Sequence, residues 1–138
     1  MTRVLVVHHD IDMADIETDE LRSRGYEVEQ CWGPKYVSCP VMRGERCAAG
    51  DRADIFVYDV WSTGDTDGGR RLIAGLRDLY PDTPVVLTAP GMELDWVEVE
   101  GPHRVVPLVG LPTSPRLIEA LELALATSGA EAATPATS

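Results

Sequence analysis

The chain has 138 residues, a hydrophobic fraction of 44% and a formal net charge of −11. This length is typical of one domain with its own core. A strongly acidic chain without a Lys/Arg cluster is not expected to bind nucleic acid or an anionic membrane surface. No apolar run approaches the about 20 residues of a membrane-spanning helix. With three cysteines and no secretory-signal pattern at the N-terminus, we expect a cytoplasmic protein with reduced thiols.

Strand-forming and helix-forming segments alternate along the sequence. Such alternation predicts an α/β fold, with a parallel sheet and helices on both of its faces. Asp12 is the predicted N-cap of the first helix. The predicted strands end near His8, Cys31, Asp59, Thr88 and Val109. The predicted helices cover about Met13–Arg24, with Met13, Ile16 and Leu21 on its apolar face, then Gly69–Tyr80 and Pro115–Ala126.

Other segments carry weaker patterns. Residues 62–68 have loop composition, and a short helix is predicted near Glu93–Val97. The domain is expected to span residues 1–126. The Ala/Thr/Ser-rich stretch Thr127–Ser138 is expected to be a disordered tail.

The run Ile55–Tyr58 is apolar without alternation, and a single carboxylate, Asp59, follows it. Continuous apolar runs are typical of central parallel strands that are buried on both faces. Asp59 is therefore placed at the carboxyl end of a central strand, which is the edge where open α/β sheets bind ligands.

Four segments resemble the receiver domain of bacterial two-component response regulators, over about residues 3 to 126. They are Val4–Val7, Tyr58-Asp59-Val60, Asp67-Gly68 with the helix and the stretch Pro81–Ala89 that follow, and Leu111-Pro112. The resemblance implies a flavodoxin-like fold with the strand order 2-1-3-4-5. It also implies that Asp59 stands at the phospho-accepting position and Thr88 at the switch-like position.

Two departures from that family bear on function. His8 and His9 occupy the place of the acidic pair that holds Mg²⁺, and Leu111 replaces the lysine that pairs with the phosphoryl group. Imidazoles suit Mg²⁺ poorly, and much of the charge compensation for phosphoryl transfer is missing. We therefore expect a stand-alone, degenerate receiver-like domain that is no enzyme, binds no Mg²⁺ and signals through protein partners. A phosphorylated regulator that uses Asp59 remains an alternative.

Cys31, Cys39 and Cys47 are equally spaced, and the last two lie in an insertion at about residues 32–51. The implied strand order brings Cys31 to the sheet edge that also carries His8 and His9. Three thiolates and an imidazole suit zinc or an iron–sulfur cluster, which would make the protein a metal- or redox-responsive regulator. A reversible disulfide with a spare thiol, or simple packing of the cysteines, stays open.

The remaining aromatic and histidine residues allow two interpretations. Trp32, Trp61 and Trp96 fall in predicted loops at or near the carboxyl edge, where they form either ordinary loop packing or a partner surface. By strand alternation, one of His8 and His9 is expected to point into a helix interface, and His103 is expected to be exposed. The sequence leaves the identity of the partner and the oligomeric state open.

Overall fold

The computed structural model describes residues 2–33, 39–59, 61, 70–89, 105–109 and 114–137. Strands and helices alternate, as the sequence predicts, except between β4 and β5, where residues 90–104 lie outside the described part of the chain. In chain order the elements are β1 Arg3–Val7, α1 Ile11–Ser23, β2 Glu27–Cys31, a 3-10 helix Pro40–Arg43, α2 Ala48–Arg52, β3 Ile55–Asp59, α3 Arg70–Leu79, β4 Val85–Ala89, β5 Val105–Val109 and α4 Ser114–Thr137.

The five strands form one parallel sheet in the order β2-β1-β3-β4-β5. The predicted fold class and strand order are therefore confirmed. In the register of the sheet, Val7 lies opposite Cys31 on one side and Tyr58 on the other, and Asp59 lies opposite Thr88. The carboxyl ends of β1, β2, β3 and β4 consequently share one edge.

Each face of the sheet carries its own core, because successive side chains along a strand point to opposite faces. Val4 and Val6 of β1 belong to the core that contains Leu21 of α1 and Leu121 of α4. Leu5 of β1 belongs to the opposite core, with Leu72, Leu76 and Tyr80 of the α3 region and the inserted segment. The result is a three-layer arrangement with a different set of neighbours on each face.

The start and the buried face of α1 differ from the sequence prediction. Asp10, not Asp12, caps the helix: its side chain accepts hydrogen bonds from the backbone N–H groups of Asp12 and Met13. The buried residues are Ala14, Glu17, Thr18 and Leu21. Ile16, predicted to face the core, is 58% exposed. The buried face follows the i, i+3, i+4, i+7 spacing that begins at Ala14, so a carboxylate takes an inward position.

In the part that the structure describes, from residue 39 onward, the inserted segment forms two short helices, a 3-10 helix and α2, and Pro40 stands at the start of the first. Gly44 ends the 3-10 helix with a φ of 78°, a left-handed conformation that favours glycine. Gly75 of α3 permits a close approach, because a Cβ there would lie 3.3 Å from both Cγ1 and the carbonyl oxygen of Val41.

Tyr80, just after α3, fixes α2 to the rest of the domain. Its hydroxyl accepts a hydrogen bond from the backbone N–H of Cys47 at 2.7 Å and lies 2.9 Å from Oδ1 of Asp51. Arg46 lies over the Tyr80 ring at 4.5 Å. Gly50 sits against the same side chain, since a Cβ at Gly50 would come 2.9 Å from the Tyr80 hydroxyl.

Helix α4 continues to Thr137, whereas the sequence predicted a disordered tail from Thr127. Ala, Leu and Glu dominate the stretch before Thr127, and alanines recur beyond it, so the helix can propagate. No helix in the described part of the chain is long and apolar enough to cross a membrane. The predicted loop at 62–68 and the predicted helix near Glu93–Val97 lie outside the described residues.

Candidate functional site

The candidate site lies at the carboxyl edge of the sheet, around Asp59. Asp59 ends the central strand β3, and it is only 2% exposed. Thr88 of the adjacent strand β4 is also buried. The turn after β1 brings His8 and His9 to the other side of the carboxylate. Four of the predicted site residues therefore meet in one place: Asp59, Thr88, His8 and His9.

Both oxygens of Asp59 are engaged. Its Oδ1 accepts a hydrogen bond from the backbone N–H of Trp61 at 2.9 Å, and its Oδ2 accepts one from the Thr88 hydroxyl at 3.1 Å. Two imidazole nitrogens lie slightly farther away: Nε2 of His8 is 3.4 Å from Oδ2, and Nδ1 of His9 is 3.5 Å from Oδ1. The two imidazole rings stack, with centroids 5.1 Å apart.

His8 is 5% exposed and is oriented by its own turn. Its Nδ1 accepts a hydrogen bond from the backbone N–H of Asp10 at 3.0 Å. A neutral imidazole that accepts at Nδ1 carries its proton on Nε2, which is the nitrogen that faces Asp59. Burial lowers the pKa of His8, more than the opposing effect of the Asp59 carboxylate raises it. His8 is therefore held in its neutral form.

Glu17 of α1 also belongs to this site, although sequence reasoning did not single it out. It is 2% exposed, and its Oε2 lies 3.8 Å from Nε2 of His8. Neither carboxylate oxygen has a hydrogen-bond partner within the described part of the chain. Burial, with a smaller effect of the Asp59 charge, raises the pKa of Glu17 to about 7. The available signal was its position three residues after Ala14 and four before Leu21, on the inward face.

The cysteines lie on the other face of the sheet. Cys31, Cys39 and Cys47 are free, half-buried thiols that line a cavity of about 110 Å³, together with Tyr58 and Tyr80 among others. Burial raises the pKa of the Cys31 thiol. Burial is also the main cause of the raised pKa of Tyr58, and the nearby cysteines add to it.

The structure does not bring the cysteines and the histidines together into one site. The backbone N–H of His8 donates a hydrogen bond to the carbonyl of Cys31 at 3.0 Å, so the ends of β1 and β2 are adjacent. The Cys31 side chain packs with the α3 core, whereas the His8 side chain points toward Glu17 of α1. Within the described ranges, only His8, His9 and Asp59 form a group of three or more ligand atoms that all lie within 4.8 Å of one another.

These donors do not fit Mg²⁺, the ion that the fold resemblance implies. Mg²⁺ prefers an octahedral set of oxygen ligands and usually keeps several waters. Here two imidazoles stand against Asp59, at 3.4 and 3.5 Å from its oxygens. A magnesium ion would therefore meet nitrogen donors in the positions where oxygen ligands are required.

Several predicted features lie outside the described residues: Leu111, Pro112, Trp96 and His103. The other two tryptophans are described. Trp32, at the end of β2, is 49% exposed, and Trp61, next to the site, is 40% exposed.

The fold matches solved structures of receiver domains. A CheY-like response regulator receiver domain protein from Methanospirillum hungatei superposes with a TM-score of 0.70 at 18% identity, over 95% of this chain and 98% of that one. CheY4 from Vibrio cholerae matches with a TM-score of 0.66 at 20% identity, over 90% of this chain and 98% of that one. NtrX from Brucella abortus, solved with ADP, matches with a TM-score of 0.73 at 21% identity. This match covers 99% of this chain and 29% of the NtrX chain.

The chain therefore has the CheY-like receiver fold. No protein-family model matches its sequence. No curated protein matches it either. At this level of identity, the fold is shared while the residues around Asp59 have to be judged from their own chemistry.

Proposed function

We propose that this protein is a cytoplasmic, non-catalytic signalling domain with the receiver fold, which acts through contacts with protein partners and not through Mg²⁺-dependent phosphorylation of Asp59. The observation that carries the proposal is the engagement of Asp59. Its two oxygens receive the Trp61 N–H and the Thr88 hydroxyl and face the imidazoles of His8 and His9.

This arrangement opposes each requirement of phosphoryl transfer to a carboxylate. An attacking oxygen needs an open in-line approach, and the developing charge needs cations. The imidazoles crowd the carboxylate, and neutral His8 supplies no positive charge. Leu111 stands where the receiver family has its lysine. When it is ionised, the buried Glu17 carboxylate adds negative charge near Asp59, which disfavours the approach of a phosphate anion.

Exposed aromatic side chains at this end of the sheet support a protein partner. Trp32 and Trp61 are both large apolar residues that remain substantially exposed. Tryptophan is enriched at the energetically dominant positions of protein interfaces. A protein partner that binds at the carboxyl edge of the sheet would bury these two indole rings.

The test is phosphorylation by a small donor. We expect purified protein incubated with acetyl phosphate and Mg²⁺ to show no phosphoryl addition by intact-mass spectrometry. The matched comparison is a variant that restores the family's residues, His8→Asp with His9→Asp and Leu111→Lys, which we expect to gain Mg²⁺ affinity and a phosphorylated form. A second control, His8→Asn with His9→Asn, removes the imidazoles without adding acids. Phosphorylation of the unmodified protein that disappears in Asp59→Asn would refute the proposal.

A thiol-based input is the second candidate function. One cavity on the opposite face is lined by Cys31, Cys39 and Cys47. Oxidation of one thiol would therefore alter the surroundings of the other two. The raised pKa of Cys31 favours the thiol over the reactive thiolate, and for that reason this candidate ranks second. Mild peroxide treatment followed by a thiol count tests it: loss of two thiols would support it, and three unreacted thiols would exclude it.

A further inference from the structure

The site around Asp59 has an arrangement that the proposed function leaves unused. His8, His9 and Asp59 present three ligand atoms that all lie within 4.8 Å of one another. The separations between His8 Nε2 and Asp59 Oδ2, 3.4 Å, and between His9 Nδ1 and Asp59 Oδ1, 3.5 Å, are longer than good N–H···O hydrogen bonds, which measure about 2.7–3.2 Å. The nitrogens therefore approach the carboxylate without forming strong hydrogen bonds to it.

The 3.4 Å between His8 Nε2 and Asp59 Oδ2 is a ligand–ligand spacing typical of a four-coordinate metal ion, and His9 Nδ1 lies near the same carboxylate, 3.5 Å from its other oxygen. An ion with bonds of about 2.0–2.1 Å to nitrogen and oxygen separates tetrahedral ligand atoms by about 3.3–3.4 Å. Two imidazoles and one carboxylate are a donor set that suits zinc and its neighbours among the divalent transition ions, while Mg²⁺ and Ca²⁺ prefer oxygen alone. A fourth position is left for water or for a group from a partner.

The buried charge points in the same direction. Glu17 lies behind His8, 2% exposed, and both its oxygens lack a hydrogen-bond partner among the residues described. Asp59 is equally buried. Two acidic side chains buried next to the same imidazole, one of them without hydrogen-bond partners among the described residues, are a setting in which a bound divalent cation would offset the cost of burying their charge.

We infer that His8, His9 and Asp59 form a binding site for a divalent transition-metal ion, with Zn²⁺ as the best fit, in the place where receiver domains hold Mg²⁺. Glu17 supports the site electrostatically from α1. The cysteines take no part, because their side chains lie on the other face of the sheet. The inference is independent of whether Asp59 is ever phosphorylated.

Metal binding should also move the turn between β1 and α1. A metal bound at Nε2 of His8 requires the imidazole proton to sit on Nδ1. In the structure that nitrogen accepts the N–H of Asp10, so this hydrogen bond has to break. Asp10 also caps α1. Metal binding would thus change the position of Asp10 and, through it, the capping of the first turn of α1.

The experiment is a titration of metal-free protein with Zn²⁺ and, separately, with Mg²⁺, followed by calorimetry and by competition with a coloured chelator. We expect one Zn²⁺ per chain and no comparable Mg²⁺ binding. Co²⁺ in place of Zn²⁺ should give the strong visible absorption of a four-coordinate site. In amide NMR spectra, Zn²⁺ should shift the signals of Asp10 and Asp12.

Variants assign the ligands. His9→Ala changes a side chain that is 26% exposed, so it is the variant expected to fold normally, and circular dichroism checks this. His9→Ala and Asp59→Asn should each weaken Zn²⁺ binding by about a hundredfold or more, because ligand contacts matter at least as much as the outer contacts worth 10–100-fold. The matched control is Asp19→Asn, which changes an exposed carboxylate of α1 outside the ligand group and should bind as the unmodified chain does.

The triple variant Cys31→Ser, Cys39→Ser, Cys47→Ser should also retain Zn²⁺ binding. The inference is overturned if Zn²⁺ binds no more tightly than Mg²⁺. It is equally overturned if Zn²⁺ binding survives both His9→Ala and Asp59→Asn but disappears in the triple cysteine variant. Neither result would bear on the phosphorylation test, which uses Mg²⁺ and a phosphodonor.

Discussion

Replacing Glu17 by Gln should stabilise the folded protein relative to the unmodified chain, and this gain in stability should increase as the pH rises. The pKa of Glu17 is raised from its ordinary value of 4.5 to about 7 in the folded state, mainly by burial. The folded state therefore holds the Glu17 proton more tightly than the unfolded state does. Below about pH 4.5 the carboxyl is protonated in both states and costs nothing; above about pH 7 it is ionised in both, and the full penalty applies.

The size of the penalty follows from the two pKa values. One pKa unit corresponds to 1.36 kcal/mol, so an ionised Glu17 costs the folded state about 3 kcal/mol. About 1 kcal/mol of this is already present at about pH 5 and nearly all of it at about pH 8. Gln has a similar shape and no titrating proton. The stability difference between Glu17→Gln and the unmodified protein should therefore increase by about 2 kcal/mol across this interval.

Urea unfolding followed by tryptophan fluorescence, at several pH values and with a chelator present, measures this difference. Comparing the two proteins at each pH removes the titration of groups that lie far from Glu17. Glu20→Gln is the matched control on the same helix. A stability difference that stays constant with pH would refute this account of Glu17, as would an equal pH dependence in the control.

Three further changes test the contacts that hold the insertion and Asp59. Tyr80→Phe removes the acceptor of the Cys47 N–H and should lower the free energy of unfolding by about 1–3 kcal/mol. Hydrogen exchange should become faster in α2 but not in β3, and unchanged exchange in α2 would contradict the anchoring role of Tyr80. Gly50→Ala places a Cβ 2.9 Å from the Tyr80 hydroxyl and should lower stability by about 1–3 kcal/mol, whereas Ala49→Gly provides a neighbouring control for the change in backbone entropy. Thr88→Val removes the donor to Asp59 Oδ2 and should cost about 1–3 kcal/mol in urea unfolding; Thr88→Ser, which keeps the hydroxyl, should lose less.

The sequence by itself determined the sheet and the place of the site. An uninterrupted apolar run that ends on a carboxylate located Asp59 at the end of a buried central strand, and the alternation of strands and helices led to a parallel sheet. The resemblance then supplied the order of the strands. These features depend on local patterns and on general rules of connection, so they can be read before any contact is known.

Which face each side chain occupies was decided only by the tertiary structure. Cys31 and His8 share an edge, as the sequence predicted, but Cys31 pairs in register with Val7 and not with His8. Since successive residues of a strand alternate between faces, this one-residue difference sends the thiol and the imidazole to opposite sides of the sheet. In the same way, the packing of α1 buries Glu17 and exposes Ile16. Helical periodicity gave several possible faces for this helix, and only contact with the sheet selects the one that places a second carboxylate behind His8.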